Sequence, residues 1–166
     1  AQVFAAITKQ CPAARMDAHI DNLVVLPPQT PSFGQHEYVK DGSIIIQDKA
    51  SCFPSQILGD AWSGGDIIDA CAAPGNKTSH VTAVVTSKMD KGKQQKKNKD
   101  EDEKKCESVY AFDKSPTRME LLQARMRNAG ADGLVTVTQA DFLTVKVHDS
   151  KYSKVSAVLL DPSCSG

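Results

Sequence analysis

Four apolar stretches of this chain each lead to an aspartate, and a cysteine follows the last of them. The aspartates are Asp69, Asp113, Asp141 and Asp161, and the cysteine is Cys164. Carboxylates accept hydrogen bonds from hydroxyl and amino groups, and a thiolate is a nucleophile. If the fold brings these side chains together, they form a pocket for a polar cofactor beside a reactive sulfur.

The first aspartate opens a loop of small residues, Asp69–Thr78 (DACAAPGNKT), which precedes a predicted helix from Thr78 to about Thr86. Gly75 permits backbone conformations closed to other residues, and the start of the helix presents unpaired N–H groups to a carboxylate or phosphate. The spacing matches neither a Walker loop nor G-x-G-x-x-G, so it favours neither a nucleoside triphosphate nor a nicotinamide dinucleotide. On its own, the loop is equally well interpreted as an ordinary strand-to-helix turn.

Asp113 and Asp141 end the second and third stretches. An acid at the position of Asp113 can accept both hydroxyls of a ribose. The alternative is a helix cap, because Ser115 and Pro116 already begin a helix that closes at Gly130. Asp141 is a candidate acceptor for the amino group of an adenine ring, and the sequence favours this no more than an ordinary loop position.

Cys164 follows Asp161 in a polar loop after the fourth stretch. Carbon 5 of cytosine is too electron-poor to take a methyl group directly. Addition of a thiolate at carbon 6 turns the ring into an enamine that can attack a sulfonium methyl group. The loop therefore predicts a catalytic thiol, with Asp161 near the cytosine amino group or the methyl donor. Burial of the cysteine as a small apolar side chain is the alternative.

The elements that must position these residues are strands and helices in alternation. Strands joined by helices lie parallel, with their carboxyl ends at one edge of the sheet, where ligands bind. The predicted fold is therefore α/β and Rossmann-like, with a mostly parallel sheet. The four predicted strands are Ile67–Asp69, Val109–Asp113, Val135–Val137 and Val158–Asp161.

Upstream of the loop the sequence predicts shorter elements. Leu23–Leu26 and Ile44–Ile46 are strand candidates. Asp48 or Ser51 is a candidate N-cap of the helix that follows, with Pro54 tolerated only in the first turn of that helix.

The segment Lys88–Lys105 has a single apolar residue and predicts a disordered, charged surface insertion. The spacing supports an insertion, because a ribose-binding acid ordinarily follows the glycine loop by about 20 residues. A solvated linker is the simpler interpretation, and a flexible arm that binds RNA is the alternative.

Composition excludes several classes of protein. Twenty basic and twenty acidic residues give no net charge that would attract nucleic acid or a membrane. Five cysteines without a C-x-x-C pair argue against a disulfide framework or a metal site and favour a reducing, intracellular compartment. No apolar run is long enough for a membrane span, and the chain starts at Ala1 without a secretion signal, so we expect a segment of a longer protein.

In this order, the motifs DACAAPGNKT, Asp113 with Arg118, Gln139–Phe142 and LDPSCSG resemble the Sun-domain family of S-adenosylmethionine-dependent RNA cytosine-5 methyltransferases. The segment from Asp41 to Ser51 also resembles the one that this family places before its cofactor loop. Asp-Pro-Ser-Cys is most similar to the branch that methylates large-subunit ribosomal RNA in the nucleolus. The resemblance runs from about Leu23 to the last residue, and Asn76 stands where the family usually has a second glycine.

The resemblance implies a cofactor, a substrate and a domain, and it implies that the Rossmann-like sheet is truncated here after the fourth core strand. The cofactor is S-adenosyl-L-methionine, and the substrate is RNA. Residues 41–166 are part of a methyltransferase domain that follows a connecting segment, residues 1–40. The implied cofactor contacts are Cys71, Ala72, Ala73, Pro74, Gly75, Asn76, Lys77, Asp113, Arg118, Asp141 and Asp161.

The resemblance also changes the role of the cysteine. In this family the residue that matches Cys164 assists product release, whereas the attacking cysteine belongs to a Thr-Cys motif farther along the chain. The last residue here is Gly166, so the nucleophile is expected beyond Gly166. We therefore expect that these residues do not complete methyl transfer alone.

Two other functions remain open on the sequence. A methyltransferase that acts on a base amine is one, although such enzymes favour Asn/Asp-Pro-Pro-aromatic where this chain has Asp161–Cys164. The other is a catalytically silent module that binds the cofactor or serves as an RNA scaffold.

Overall fold

The predicted parallel sheet is the centre of the molecule. The computed structural model describes residues 2–28, 30, 33–95, 106–146 and 148–162. In chain order, its helices and strands are α1 (Gln2–Gln10), β1 (Arg15–Met16), β2 (Val24–Val25), α2 (Glu37–Lys40), α3 (Lys49–Ala61), β3 (Asp66–Asp69), α4 (Asn76–Gln95), β4 (Val109–Asp113), α5 (Pro116–Asn128), β5 (Val135–Gln139) and β6 (Val155–Leu159).

The order of strands in the sheet is β5-β4-β3-β6, and all neighbours are parallel. From β3 the chain steps outward through β4 to β5 and then crosses back to place β6 on the other side of β3. The direction of winding therefore reverses between β3 and β6. Ligands of open parallel sheets bind beyond the carboxyl ends of the strands at such a reversal.

Alternate residues of the central strands pack on opposite faces of the sheet, as a pleated strand requires. Ile67 and Val109 lie in a core cluster with Val81 of α4 and with Leu122 and Met126 of α5. On the other face, the aromatic side chains Tyr110 and Phe112 pack with Phe142 and Tyr152. Both faces of β3 and β4 are covered. β4 accordingly reads as a continuous apolar run before Asp113, whereas β3 has two isoleucines between two buried aspartates.

β6 lies at the edge of the described sheet, next to β3. It begins earlier than predicted, because Val155 already pairs with Asp66. The side chains of Val158 and Leu160 are 49% and 64% exposed. Among the described residues, no strand pairs with the outer side of β6, and two apolar side chains are exposed beside this edge.

The prediction of a disordered insertion at Lys88–Lys105 is wrong for the first part of that segment. α4 continues to Gln95, so Lys88–Gln95 are helical rather than a disordered loop. Lysine, glutamine and methionine favour helices, and Lys88 Nζ donates to the carbonyl of Asp60 at 2.6 Å. Residues 96–105 lie outside the described residues, and for them the proposed insertion stays a prediction.

Two expectations about the region before the loop are also wrong. Ile44–Ile46 forms no strand, because Ile44 packs on an N-terminal apolar cluster while Ile46 is 55% exposed. Asp48, one of the two predicted caps, occupies the N-cap position of α3. The helix begins at Lys49, so Pro54 lies inside it rather than in its first turn. Packing compensates for the lost main-chain bond, since Ser55 is fully buried and its Oγ donates to the carbonyl of Lys77 at 2.9 Å.

The N-terminal region contacts α3 through an ion pair. β1 and β2 form an antiparallel pair, and α1 buries Ile7 beside them. Asp17 lies between these strands and accepts a hydrogen bond from Lys49 Nζ at 2.6 Å, which lowers the pKa of its carboxyl to about 2. The division of the chain near residue 40 stays a prediction. No helix among the described residues has both the length and the apolar character needed to cross a membrane.

Candidate functional site

A cavity of about 440 Å³ opens beyond the carboxyl ends of β3 and β6, where the direction of winding reverses. One wall is the loop after β3, and the other is the segment before and at the start of α3. A larger cavity, of about 750 Å³, lies between α4 and the N-terminal region, but of the predicted site residues only Asn76 lines it. The predicted residues that line the smaller cavity are Cys71, Ala72, Ala73, Pro74, Asn76, Lys77, Arg118 and Asp161.

A buried carboxylate holds the loop in shape. Asp69 is 1% exposed, and its Oδ2 accepts a hydrogen bond from Thr78 Oγ1 at 2.7 Å. Its Oδ1 accepts a longer bond from the N–H of Cys71 at 3.4 Å. Burial raises the pKa of the Asp69 carboxyl to about 6, although these hydrogen bonds act in the opposite direction. The end of β3 and the start of α4 are thereby joined beneath the loop.

Main-chain donors of the loop are mostly used within the protein. The N–H of Ala72 donates to Phe112 O, and that of Gly75 donates to Ala72 O at 2.7 Å. The first N–H groups of α4 that lie at the cavity, those of Asn76 and Lys77, have no partner within the helix by its geometry. These groups can therefore bind an anionic part of a ligand.

Asp113 lies directly behind the loop. Its Oδ2 accepts a bond from the N–H of Ala73 at 3.3 Å, and its Oδ1 accepts one from the N–H of Ser115 at 2.9 Å. Arg118 Nη2 lies 3.4 Å from the same Oδ2 and donates to the carbonyl of Ala73. Asp113 and Arg118 thus hold the loop from below. Ser115 caps α5 and Pro116 is its first residue, both as predicted.

An ion pair joins the first turn of α4 to the segment after β6 at the cavity. Lys77 Nζ lies 2.7 Å from Asp161 Oδ2. Lys77 follows β3 and Asp161 follows β6, so the contact spans the two strands at which the sheet reverses. The sequence prediction placed both residues in one pocket, and the structure brings them together.

Three predicted cofactor contacts, Gly75, Asp113 and Asp141, do not line the cavity, and Asp113 is 5% exposed. The Oδ1 of Asp141 accepts a bond from the N–H of Leu143 at 3.0 Å and caps a short 3₁₀ helix, Phe142–Thr144. The ring of Phe142 packs against Phe112, with ring centroids 5.6 Å apart. Contact between Asp141 and a cofactor stays a prediction.

Of the two cysteines of the predicted site, the structure describes Cys71. Its side chain lines the cavity, and burial, followed by the charges of Asp69 and Asp113, raises the pKa of its thiol. A protonated thiol is a poor nucleophile, which suits a binding role for Cys71.

The remaining sequence predictions about catalysis concern Cys164 and a nucleophile beyond Gly166. Residues 163–166, which include Cys164 and Gly166, lie outside the described residues. The assisting role of Cys164 and the expectation of a nucleophile beyond Gly166 therefore both stay predictions.

Sequence reasoning named no site residue on the second wall of the cavity. This wall is formed by Ile46, Gln47, Asp48 and Ser51. The signal was present in the resemblance of Asp41–Ser51 to the segment before the family's cofactor loop, but nothing in its residue types alone pointed to a ligand. Asn76 Nδ2 donates to Ile46 O at 3.3 Å and so connects the two walls.

The raised pKa of Asp69 predicts a pH dependence of stability. Its pKa is about 6 in the folded chain and 3.8 ordinarily. Between pH 4 and 6 the unfolded chain releases this proton while the folded chain keeps it, so stability falls as pH rises through this window. The loss is at most about 3 kcal/mol, and above pH 6 this contribution is constant. Chemical unfolding at several pH values measures it, and Asp69→Asn should flatten the curve in this window. An unchanged slope in the variant would contradict the assignment.

The loop conformation predicts an intolerance at Gly75. Its φ is +101°, and an added Cβ would lie 2.8 Å from Leu122 Cδ1 and 2.9 Å from Met126 Cε. We expect Gly75→Ala to lower the free energy of unfolding by about 1–3 kcal/mol. Gly133→Ala is the control, because no atom lies within 4 Å of its added Cβ. Equal changes in the denaturation midpoints of the two variants would show that the loop is not constrained.

Residues 58–166 match the family described as 16S rRNA methyltransferase RsmB/F. The chain is 38% identical over 151 residues to a 28S rRNA (cytosine-C(5))-methyltransferase of Mus musculus, a match that covers 91% of the chain and 28% of that protein. It is 36% identical over 152 residues to the 25S rRNA (cytosine-C(5))-methyltransferase rcm1 of Schizosaccharomyces pombe, again over 91% of the chain and 28% of that protein. The chain thus spans less than a third of the length of these curated relatives.

Solved structures show the same fold. The crystal structure of PH0851 has a TM-score of 0.70 and 23% identity, over 99% of this chain and 33% of that one. A methyltransferase homologue from Pyrococcus horikoshii has a TM-score of 0.61 and 19% identity, over 86% of this chain and 40% of that one. The α/β, Rossmann-like fold class is confirmed. With the family pattern extending over the loop, α4, α5 and all four strands of the parallel sheet, the chain belongs to the RsmB/F family of rRNA methyltransferases, which confirms the resemblance seen in its motifs.

Proposed function

We propose that the protein containing this chain methylates carbon 5 of a cytosine in large-subunit ribosomal RNA, and that this chain supplies the half of the site that binds S-adenosylmethionine. The observation that carries the proposal is the cavity at the reversal of the sheet, bridged by the 2.7 Å contact between Lys77 and Asp161. The relatives named as 28S and 25S rRNA (cytosine-C(5))-methyltransferases support the substrate.

The residues of the cavity fit the cofactor. A volume of about 440 Å³ lies within the range of small-molecule sites. Ala72 and Ala73 leave room beside the backbone, and Lys77 and the first turn of α4 offer positive charge and N–H donors to a carboxylate. Asn76 Oδ1 is buried without a hydrogen-bond partner among the described residues, so this loop retains an unused acceptor.

The ribose assignment for Asp113 is compatible with the bonds that this residue already makes. Two oxygens of an ionised carboxylate offer about four acceptor positions. The N–H groups of Ala73 and Ser115 occupy two of them, one on each oxygen. We propose that the remaining positions accept the ribose hydroxyls, while Arg118 balances the charge of the carboxylate and orients it.

The bound cofactor supplies an electrophilic methyl group, and the chain positions it. Asp161 follows β6, the strand next to β3, and its pairing with Lys77 fixes the approach to the cavity. Cys164 follows Asp161 by three residues, and we propose that it assists product release. The attacking cysteine belongs to a Thr-Cys motif of the complete protein, beyond Gly166. Large-subunit rRNA as the partner and the nucleolus as the location are part of this proposal.

A trapping assay tests the reaction. The complete protein is incubated with S-adenosylmethionine that carries a labelled methyl group and with large-subunit rRNA that contains 5-fluorocytosine. It should form a covalent RNA–protein adduct, because the fluorine blocks the final elimination of the thiol. Labelling without an adduct would indicate methylation of a base amine. Cofactor binding with neither labelled RNA nor an adduct would indicate a silent module.

Lys77→Ala should reduce methyl transfer at low cofactor concentration by roughly 10-fold or more. Lys91→Ala on the same helix is the matched control and should leave methyl transfer unchanged.

Calorimetry tests the ribose assignment. Asp113→Asn preserves the shape of the side chain but removes its charge, so S-adenosylmethionine should bind roughly 10- to 100-fold more weakly. Asp132→Asn, at an exposed acid beyond α5, is the control. Thermal unfolding of both variants separates loss of binding from loss of fold. Unchanged affinity in a folded Asp113 variant would refute this role.

A further inference from the structure

The wall of the cavity opposite the cofactor loop carries a carboxylate of its own. Asp48 lies at the start of α3 and lines the cavity together with Gln47 and Ser51. Its neighbour Lys49 is directed elsewhere, to Asp17, at 2.6 Å. The segment therefore presents acceptors to the cavity without an adjacent cation that pairs with them.

Asp48 differs from the other acids around the site in having a free side chain. Asp161 is paired with Lys77, Asp113 with Arg118, and Asp69 accepts from Thr78. Asp48 occupies the N-cap position of α3, where an aspartate side chain ordinarily accepts a bond from the helix, yet it makes no such bond. Among the described residues that line the cavity, it is the carboxylate with neither a hydrogen bond nor an ion pair on its side chain.

Gln47 adds a second acceptor to this wall. Its Nε2 donates to the carbonyl of Ser51 at 2.7 Å, which orients the amide. Because the amide nitrogen is used in this way, the amide oxygen remains available to a donor.

The two walls of the cavity differ in how their charged groups are paired. On the loop wall Lys77 is paired with Asp161 and Arg118 with Asp113, and the first N–H groups of α4 suit a carboxylate. The facing wall offers Asp48 and the oxygen of Gln47, which suit a group with several N–H donors and a positive charge. The amino acid end of S-adenosylmethionine carries one group of each kind.

We infer that Asp48 binds the α-ammonium group of the methionyl part of the cofactor, with Gln47 as a second acceptor. This inference rests on the cofactor named in the proposed function. It assigns a binding role to the segment before α3 and predicts that affinity for the amino acid end of the cofactor depends on both walls.

Calorimetry with three ligands tests the inference. S-adenosylmethionine and S-adenosylhomocysteine both carry the ammonium group, and only the first has a sulfonium charge. 5′-Methylthioadenosine has neither group. Asp48→Asn in the complete protein should lower the affinity for S-adenosylmethionine and S-adenosylhomocysteine equally, by roughly 10-fold, and leave the affinity for 5′-methylthioadenosine unchanged. Removal of a negative charge cannot weaken the binding of a carboxylate, so this pattern identifies the ammonium group.

Two further variants separate ligand binding from helix capping. Asp48→Ser keeps a good N-cap residue but loses the charge, and should bind as weakly as Asp48→Asn. Asp48→Glu keeps the charge and should restore part of the affinity. Recovery by serine, or equal weakening of all three ligands, would overturn the inference in favour of a structural role. Unchanged affinity in Asp48→Asn would also overturn it. A wild-type protein that binds none of the three would refute the proposed cofactor itself.

Discussion

The arrangement of the whole site depends on one buried carboxylate at the end of β3. Asp69 is removed from water, and its bond from Thr78 ties the last residue of the strand to the first turn of α4. A buried acid is costly unless its oxygens have partners, so the short loop between these elements must bring donors to it. The bond between Asp69 and Thr78 constrains the rest of the loop. The backbone turns tightly at Gly75, the N–H of Ala73 donates to Asp113, and Lys77 pairs with Asp161.

The central part of the fold could be predicted because local sequence and tertiary structure agree there. β4 is buried on both faces and reads as an unbroken apolar run before its aspartate, and α5 carries its start signal at Ser115 and its stop signal at Gly130. The errors arose where tertiary contacts decide. Ile44–Ile46 has strand-like residues but pairs with no strand in the part of the chain that the structure describes. Pro54 is accepted inside α3 because that helix packs closely on α4. The helical Lys88–Gln95 looked too polar for structure, although a helix already begun can continue through residues of high helix propensity.

The site shows the same division between local and distant information. Residues that follow strands of a parallel sheet are bound to meet at one edge, so the convergence of Cys71–Lys77 with Asp161 could be read from the order of elements. Whether a particular carboxylate faces the cavity depends on its side-chain partners. Asp141 turns to its own 3₁₀ helix, whereas Asp48 leaves its helix uncapped. Both residues are aspartates at the N-cap of a helix, so the spacing of residues in the sequence does not tell which of them faces the cavity.

Among the described residues, no strand covers the outer side of β6, and this edge has a physical consequence. An edge strand presents unpaired main-chain N–H and C=O groups, and here exposed valine and leucine side chains stand beside them. Such an edge is a template for pairing with a strand from another molecule. If no further strand covers this edge, molecules can pair through it and aggregate, to an extent that increases with protein concentration. A strand that covers the edge would therefore increase solubility as well as stability.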